Sequence, residues 1–236
     1  MPKTDELFHA GHRQRLKQKL LDGKLTSCEK LELLLTYAIP RRDVRVLSRT
    51  LIERFGGVYF VLCAPYEELI RIPGVGHNVA VVIKLFHELS LVSYQERAVR
   101  DDYLTDDRFI RDYCRRLVSG KTVEEFHVLY LDGNRRLITG EIHSRGTFNQ
   151  ADVYPREISK RALSLNAIYV ILVHNHPVSD NNFSSDDAEA TSRLEICLNT
   201  FGIALIDHYV VTSNGVVHSM RETPFLNKSS FFKGRG

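Results

Sequence analysis

No apolar run in this chain reaches the roughly 18 residues that a membrane span needs, so no membrane association is expected. There is no glycine-rich Walker loop, which leaves nucleotide hydrolysis unsupported and no nucleotide cofactor expected. Cys28, Cys63, Cys114 and Cys197 lie far apart and form no Cys-x-x-Cys pair. They read as reduced, mostly buried thiols of a reducing compartment, and a cytoplasmic location is expected. The opening Met-Pro-Lys-Thr-Asp-Glu has no basic and apolar leader, so no secretion signal is expected. Neither an internal repeat nor a low-complexity segment appears. The net charge, +3, is too small to argue for nucleic acid by itself.

The distribution of charge says more than its sum. Residues 1–100 carry 16 Lys+Arg against 11 Asp+Glu, whereas residues 101–236 carry 16 against 18, so the basic excess lies wholly in the first part. A length of 236 residues fits one large domain or two small ones. A polar stretch from 91 to about 104, ending in Asp101-Asp102, suggests domains at 1–100 and 101–236.

The first part reads as all helical. Gly11–Leu21 is a short basic helix with Arg13, Arg15, Lys17 and Lys19. Cys28–Ala38 is leucine-rich and is ended by Pro40. Asp43–Phe55 keeps Val44, Leu47, Leu51 and Ile52 on one face and stops at Gly56-Gly57. A short helix over Pro65–Arg71, the turn Ile72-Pro73-Gly74-Val75-Gly76 and a helix from His77 to about Ser90 have the layout of a helix-hairpin-helix. Such a turn leaves backbone N–H groups free at the positive end of the second helix. A DNA phosphate fits there, contacted by Gly74, Val75 and Gly76, with Lys84 adding charge; binding of this kind reads the backbone and not the bases. An ordinary packing hairpin explains the same residues equally well.

The second part alternates strands and helices. Asp106–Ser119 is a helix closed by Gly120. Glu125–Leu131 and Leu137–Ser144, joined by Asp132-Gly133-Asn134, form a hairpin. Tyr154-Pro155 begins a helix to about Leu165. Ala167–His174 is almost wholly apolar, as a central strand would be. A helix capped at Ser184 or Ser185 runs to Asn199, and strands follow at Ile203–Val211 and Val216–Ser219. The expected fold is therefore α+β overall, an all-α region followed by an α/β domain with a mixed sheet.

The end of the apolar strand carries the chemistry. Val173-His174-Asn175-His176-Pro177 is followed by Ser184 and Asp187. Histidines at i and i+2 of an extended chain point the same way. A carboxylate on the next helix can return to them. Two imidazoles, one carboxylate and a water make an open zinc site, the catalytic kind. The blander alternative is a strand end with satisfied histidines and a helix capped by Ser184, worth about 1 kcal/mol.

His-x-His-Pro, six residues, Ser, two residues, Asp resembles the motif of the JAMM (MPN+) metalloproteases. Further stretches resemble the RadC family: Arg145-Gly-Thr-Phe-Asn149, Tyr154-Pro-Arg-Glu-Ile158, Gly202–His208, and upstream Gly11–Leu16, Glu32–Pro40 and Ile72–Gly76. Val178-Ser179 and Asn181–Phe183 stand where the family usually has Ser-Gly and prolines, a departure that touches loop shape more than the ligands. The resemblance implies one Zn²⁺ held by His174, His176 and Asp187, and a protein or peptide substrate. It also implies an upstream glutamate as general base near the start of an early strand. Glu125 fits that place best, Glu124 being sent to the opposite face, with Glu141 as its rival. Ser184 would hydrogen-bond the bound water or the developing oxyanion. His143 and His208 could orient a ligand but read more simply as satisfied histidines. A DNA-binding repair or recombination factor with a structural metal is the alternative function.

Overall fold

The computed structural model describes residues 3–40, 42–100, 104, 106–146 and 154–225, with side chains from Gly11 onward. Thr147–Asn149 and the pair Asp101-Asp102 lie outside the described residues. The chain divides into two compact units, residues 1–90 and 91–236.

In the first unit, helices α1 (Lys3–Leu21), α2 (Ser27–Ala38), α3 (Arg45–Phe55), α4 (Val58–Cys63) and α5 (Tyr66–Leu69) precede the start of α6 (His77–Arg100). Residues 91–100, read from sequence as a polar connection, continue this helix, and the boundary between units falls inside it. Thr26 and Glu29 form a capping box that starts α2, each side chain holding the other's backbone N–H. The core joins Leu31, Leu35, Leu51, Val61, Leu69, Val75, Ala80 and Ile83. Gly74 has φ +92°, a conformation that side chains with a Cβ rarely take. The Val75 side chain is buried in this core. Lys84 Nζ, the charge expected from sequence to add to a phosphate contact, donates to the Ala64 carbonyl at 3.3 Å.

The second unit is a three-layer α/β arrangement. Its sheet contains β1 (Glu125–Leu131), β2 (Leu137–Arg145), β3 (Tyr169–His176), β4 (Ala204–Thr212) and β5 (Val217–Ser219) in the order β2-β1-β3-β4-β5. Only β3 and β4 run parallel; the other neighbours are antiparallel. Helix α7 (Asp107–Val118) covers one face through Phe109, Tyr113 and Leu117, packed on Leu129, Leu131, Ile171 and Val173. Helices α8 (Pro155–Ser164) and α9 (Ser185–Thr200) cover the other through Ile158, Ala162, Leu194 and Leu198, packed on Phe126, Val128, Val170 and Leu172. Strand β1 is buried along its whole length, and β3 along all but its ends, because both strands lie between helical layers. Among the described residues, no helix is long and apolar enough to cross a membrane.

Candidate metal centre

His174 and His176 end β3, whose period-two alternation turns both rings to the face covered by α8 and α9. Ser184 caps α9, accepting from the Asp187 N–H at 3.1 Å, while the Asp187 carboxylate accepts from the Ser184 N–H at 2.7 Å. This capping box is what brings Asp187, three residues into the helix, against the strand end. The Ser184 hydroxyl also donates to Asp187 Oδ2 at 2.7 Å. Its proton is thus committed to the carboxylate, so here Ser184 orients Asp187, and its helix-capping reading holds as well.

Three donor atoms converge. His174 Nε2 lies 3.0 Å from His176 Nε2 and 3.3 Å from Asp187 Oδ1, and His176 Nε2 lies 3.8 Å from Asp187 Oδ2. Ligands on zinc at ~2.0–2.1 Å with tetrahedral angles would be about 3.3 Å apart, so these separations match the edges of such a polyhedron. Electrostatics favours a cation as well. His174 and Asp187 are each 1% exposed. Burial pulls the His174 pKa down to about 4, so its ring is neutral at pH 7. His176 Nδ1 lies 2.9 Å from the Asn181 carbonyl, which only accepts, so the proton sits on Nδ1 and Nε2 presents a lone pair. A buried carboxylate facing imidazole nitrogens is a donor set that a divalent cation satisfies.

The glutamates fall differently from the sequence expectation. Phe126 pairs with His174 across β1 and β3, and paired residues share a face. Glu125, one residue earlier, therefore points to the α7 face. It is 4% exposed there, 2.9 Å from His127 Nε2 and 3.2 Å from Arg145 Nε, with Lys121 Nζ at 3.8 Å. Glu124 lies on the histidine face. It lines a cleft of about 390 Å³ with His176, Ser179, Asn181, Asn182, Phe183 and Ser184. The alternation was right, and its phase was inverted. Glu141 is occupied by Arg161, with Nε 2.9 and 3.1 Å from its two oxygens.

Two more residues complete the site, and motif reading missed one of them. Asn175, between the histidines, points to the opposite face and is 3% exposed. Its Oδ1 accepts from the Glu125 N–H at 2.8 Å and its Nδ2 donates to the Val123 carbonyl at 3.0 Å. These are the peptide groups on either side of Glu124, so one carboxamide brackets the backbone that carries it. His208, taken from sequence as more simply a satisfied histidine, lies 2.7 Å from His174 Nδ1 and is fully buried. His143 instead accepts from the Tyr154 N–H at 3.3 Å.

A mixed sheet between helices, with a His/His/Asp cluster at the C-terminal end of its central strand, is the architecture of a JAB/MPN domain and fits a metal-binding fold. Residues 104–225 match the family described as the RadC-like JAB domain, and the chain belongs to that family. It is 37% identical over 203 residues to the UPF0758 protein SPO0054 of Ruegeria pomeroyi, covering 85% of this chain and 91% of the relative. It is 33% identical over 228 residues to the UPF0758 protein FN0909 of Fusobacterium nucleatum, covering 92% and 98%.

Proposed function

We propose that this protein is a zinc-dependent amide hydrolase, a metallopeptidase or isopeptidase, with His174, His176 and Asp187 as the metal ligands and Glu124 as general base. The observation that carries the reading is that His176 of the donor cluster lines a cleft also lined by the carboxylate-bearing Glu124, the residue just before β1. Zinc at three protein ligands would supply Lewis acidity and lower the pKa of a water toward about 7. Glu124 would accept the proton of the attacking water and return it to the leaving nitrogen. Ser184 would hold Asp187 in its ligating orientation, and Asn175 would hold the Glu124 backbone. Glu125 serves the sheet on the other face.

Elemental analysis of the purified protein, beside His176→Ala and Asp187→Ala, is the first test. About one zinc per chain in wild type, lost in both variants, is the expected result. No metal after zinc reconstitution would sink the hydrolase reading. A survey of peptide and isopeptide substrates follows, with Glu124→Gln as the inactive control. For the helical unit we infer sequence-independent DNA binding at the Gly74–Gly76 turn. The left-handed Gly74, the start of α6 immediately after Gly76 and the basic excess of residues 1–100 support it.

A further inference from the structure

Two buried side chains beside the cluster have no part in the scheme above. His208 lies on β4 and Thr191 on α9, and both are 0% exposed. His208 would not reach the histidine face on a regular strand. Across the parallel pair, Val170 lies opposite Leu205 and Ile171 opposite Asp207, so Ile206 is an extra residue in β4. Leu205 packs in the α8/α9 layer, and strict alternation from it would turn His208 toward α7. The bulge reverses the phase, sets His208 opposite Leu172 and aims its ring at His174.

The contacts form a chain whose protons can be placed in turn from its Thr191 end. Thr191 Oγ1 lies 2.6 Å from the Asp187 backbone carbonyl, which only accepts, so the hydroxyl donates its one proton there. The same oxygen lies 2.6 Å from His208 Nδ1 and must therefore accept from it. With its proton on Nδ1, the neutral His208 ring offers the lone pair of Nε2, and His174 Nδ1, 2.7 Å away, donates to it. His174 then has no proton on Nε2, the nitrogen that faces His176 and Asp187. Reversing any one of these links alone sets two lone pairs or two protons against each other; the one pair of lone pairs the chain leaves facing, His174 Nε2 and His176 Nε2 at 3.0 Å, lies where the cation would be held. A doubly protonated His208 would place a charge in a fully buried site.

We propose that His208 and Thr191 are positioning residues that lock His174 in the Nδ1–H tautomer, so that its Nε2 lone pair is always presented to the metal. This rests on the zinc reading above. Ligating histidines are usually oriented by a carboxylate, a backbone carbonyl or water; here a neutral imidazole does it, and the chain ends on the backbone of Asp187, the third ligand.

Two measurements on the full-length protein test this. Long-range ¹⁵N NMR of the metal-free protein reads the tautomers directly. Wild type should show both His174 and His208 protonated at Nδ1, and an Nε2–H form of either ring overturns the proposal. Zinc affinity is then measured by competition with a chelator. His208→Leu should lower it about 10–100-fold, the range for groups that orient a ligand. Thr191→Val should lower it in the same direction, with a mixed His208 tautomer. His208→Gln and Thr191→Ser, which keep an acceptor and a donor in line, should return affinity toward wild type. Equal zinc affinity in wild type and folded Thr191→Val overturns the proposal; this variant carries the test if His208→Leu does not fold. Wild type that binds no zinc defeats the zinc reading instead, and the tautomer spectra still decide the circuit. Protein that binds zinc but cleaves nothing keeps this inference and loses the hydrolase one.

Discussion

Asn175→Ala is the sharpest perturbation of the sheet beneath the site. The substitution removes two hydrogen bonds, from the Glu125 N–H at 2.8 Å and to the Val123 carbonyl at 3.0 Å. The first is buried, and its loss leaves a backbone donor without that partner; the second is partly buried. A buried polar group left unsatisfied costs about 1–3 kcal/mol, and a partly buried one sits near the low end, so a loss of about 2–4 kcal/mol follows. Asn175→Asp keeps the acceptor for Glu125 but buries a carboxylate whose second oxygen faces the Val123 carbonyl, so it should lose at least as much as Asn175→Ala. Urea unfolding in the presence of a chelator, followed by hydrogen exchange at β1 and β3 amides, measures both. The Glu125 amide should lose protection in Asn175→Ala and keep it in Asn175→Asp. A loss below about 0.5 kcal/mol, with the Glu125 amide still protected in Asn175→Ala, would refute the clamp, because ordinary surface substitutions stay within that range.

The paired variants Glu124→Gln and Glu125→Gln should separate chemistry from structure. Glu124→Gln should keep zinc and the urea midpoint while hydrolysis falls about 10²–10⁴-fold, and the reverse pattern would return the base to Glu125. Glu125→Gln should lower stability by about 1–2 kcal/mol through its buried contact with His127, with little change in zinc affinity by chelator competition. Metal-free protein should lose stability in acid. Burial lowers the pKa of His127, of His174 (to about 4) and of His208 below the ordinary value near 6.5, so the unfolded chain binds more protons below that pH. The stabilisation is whole above about pH 6.5 and drains as the pH falls toward 4; a flat unfolding free energy between pH 7 and 5 would contradict it. Gly74→Leu should strain the left-handed turn and abolish salt-sensitive duplex binding, read by anisotropy at several salt concentrations.

Much of this protein was legible in one dimension. The cluster of His174, His176 and Asp187 depends on local rules: period two aligns the two histidines, and the Ser184 capping box sets Asp187 on the first turn of α9. Strand and helix positions followed from apolar periodicity, proline and glycine, because those signals act over a few residues. The tail of α6 was missed, since Ser93-Tyr-Gln-Glu-Arg97 is polar in sequence, yet Leu91, Tyr94 and Ala98 pack on the α7 layer. The phase of β1 could not be read from its own residues. A strand buried on both faces has no polar side to tell them apart, and a one-residue change of phase exchanges Glu124 and Glu125. Only the pairing of Phe126 with His174 decides it. In the same way, the extra residue in β4 is visible only against β3, and it alone turns His208 from a core histidine into the neighbour of His174. Sequence by itself determined which groups meet in the His174, His176 and Asp187 cluster, because their spacing is local. Tertiary structure decided which carboxylate and which histidine stand beside it, because strand register is a relation between segments distant in the chain.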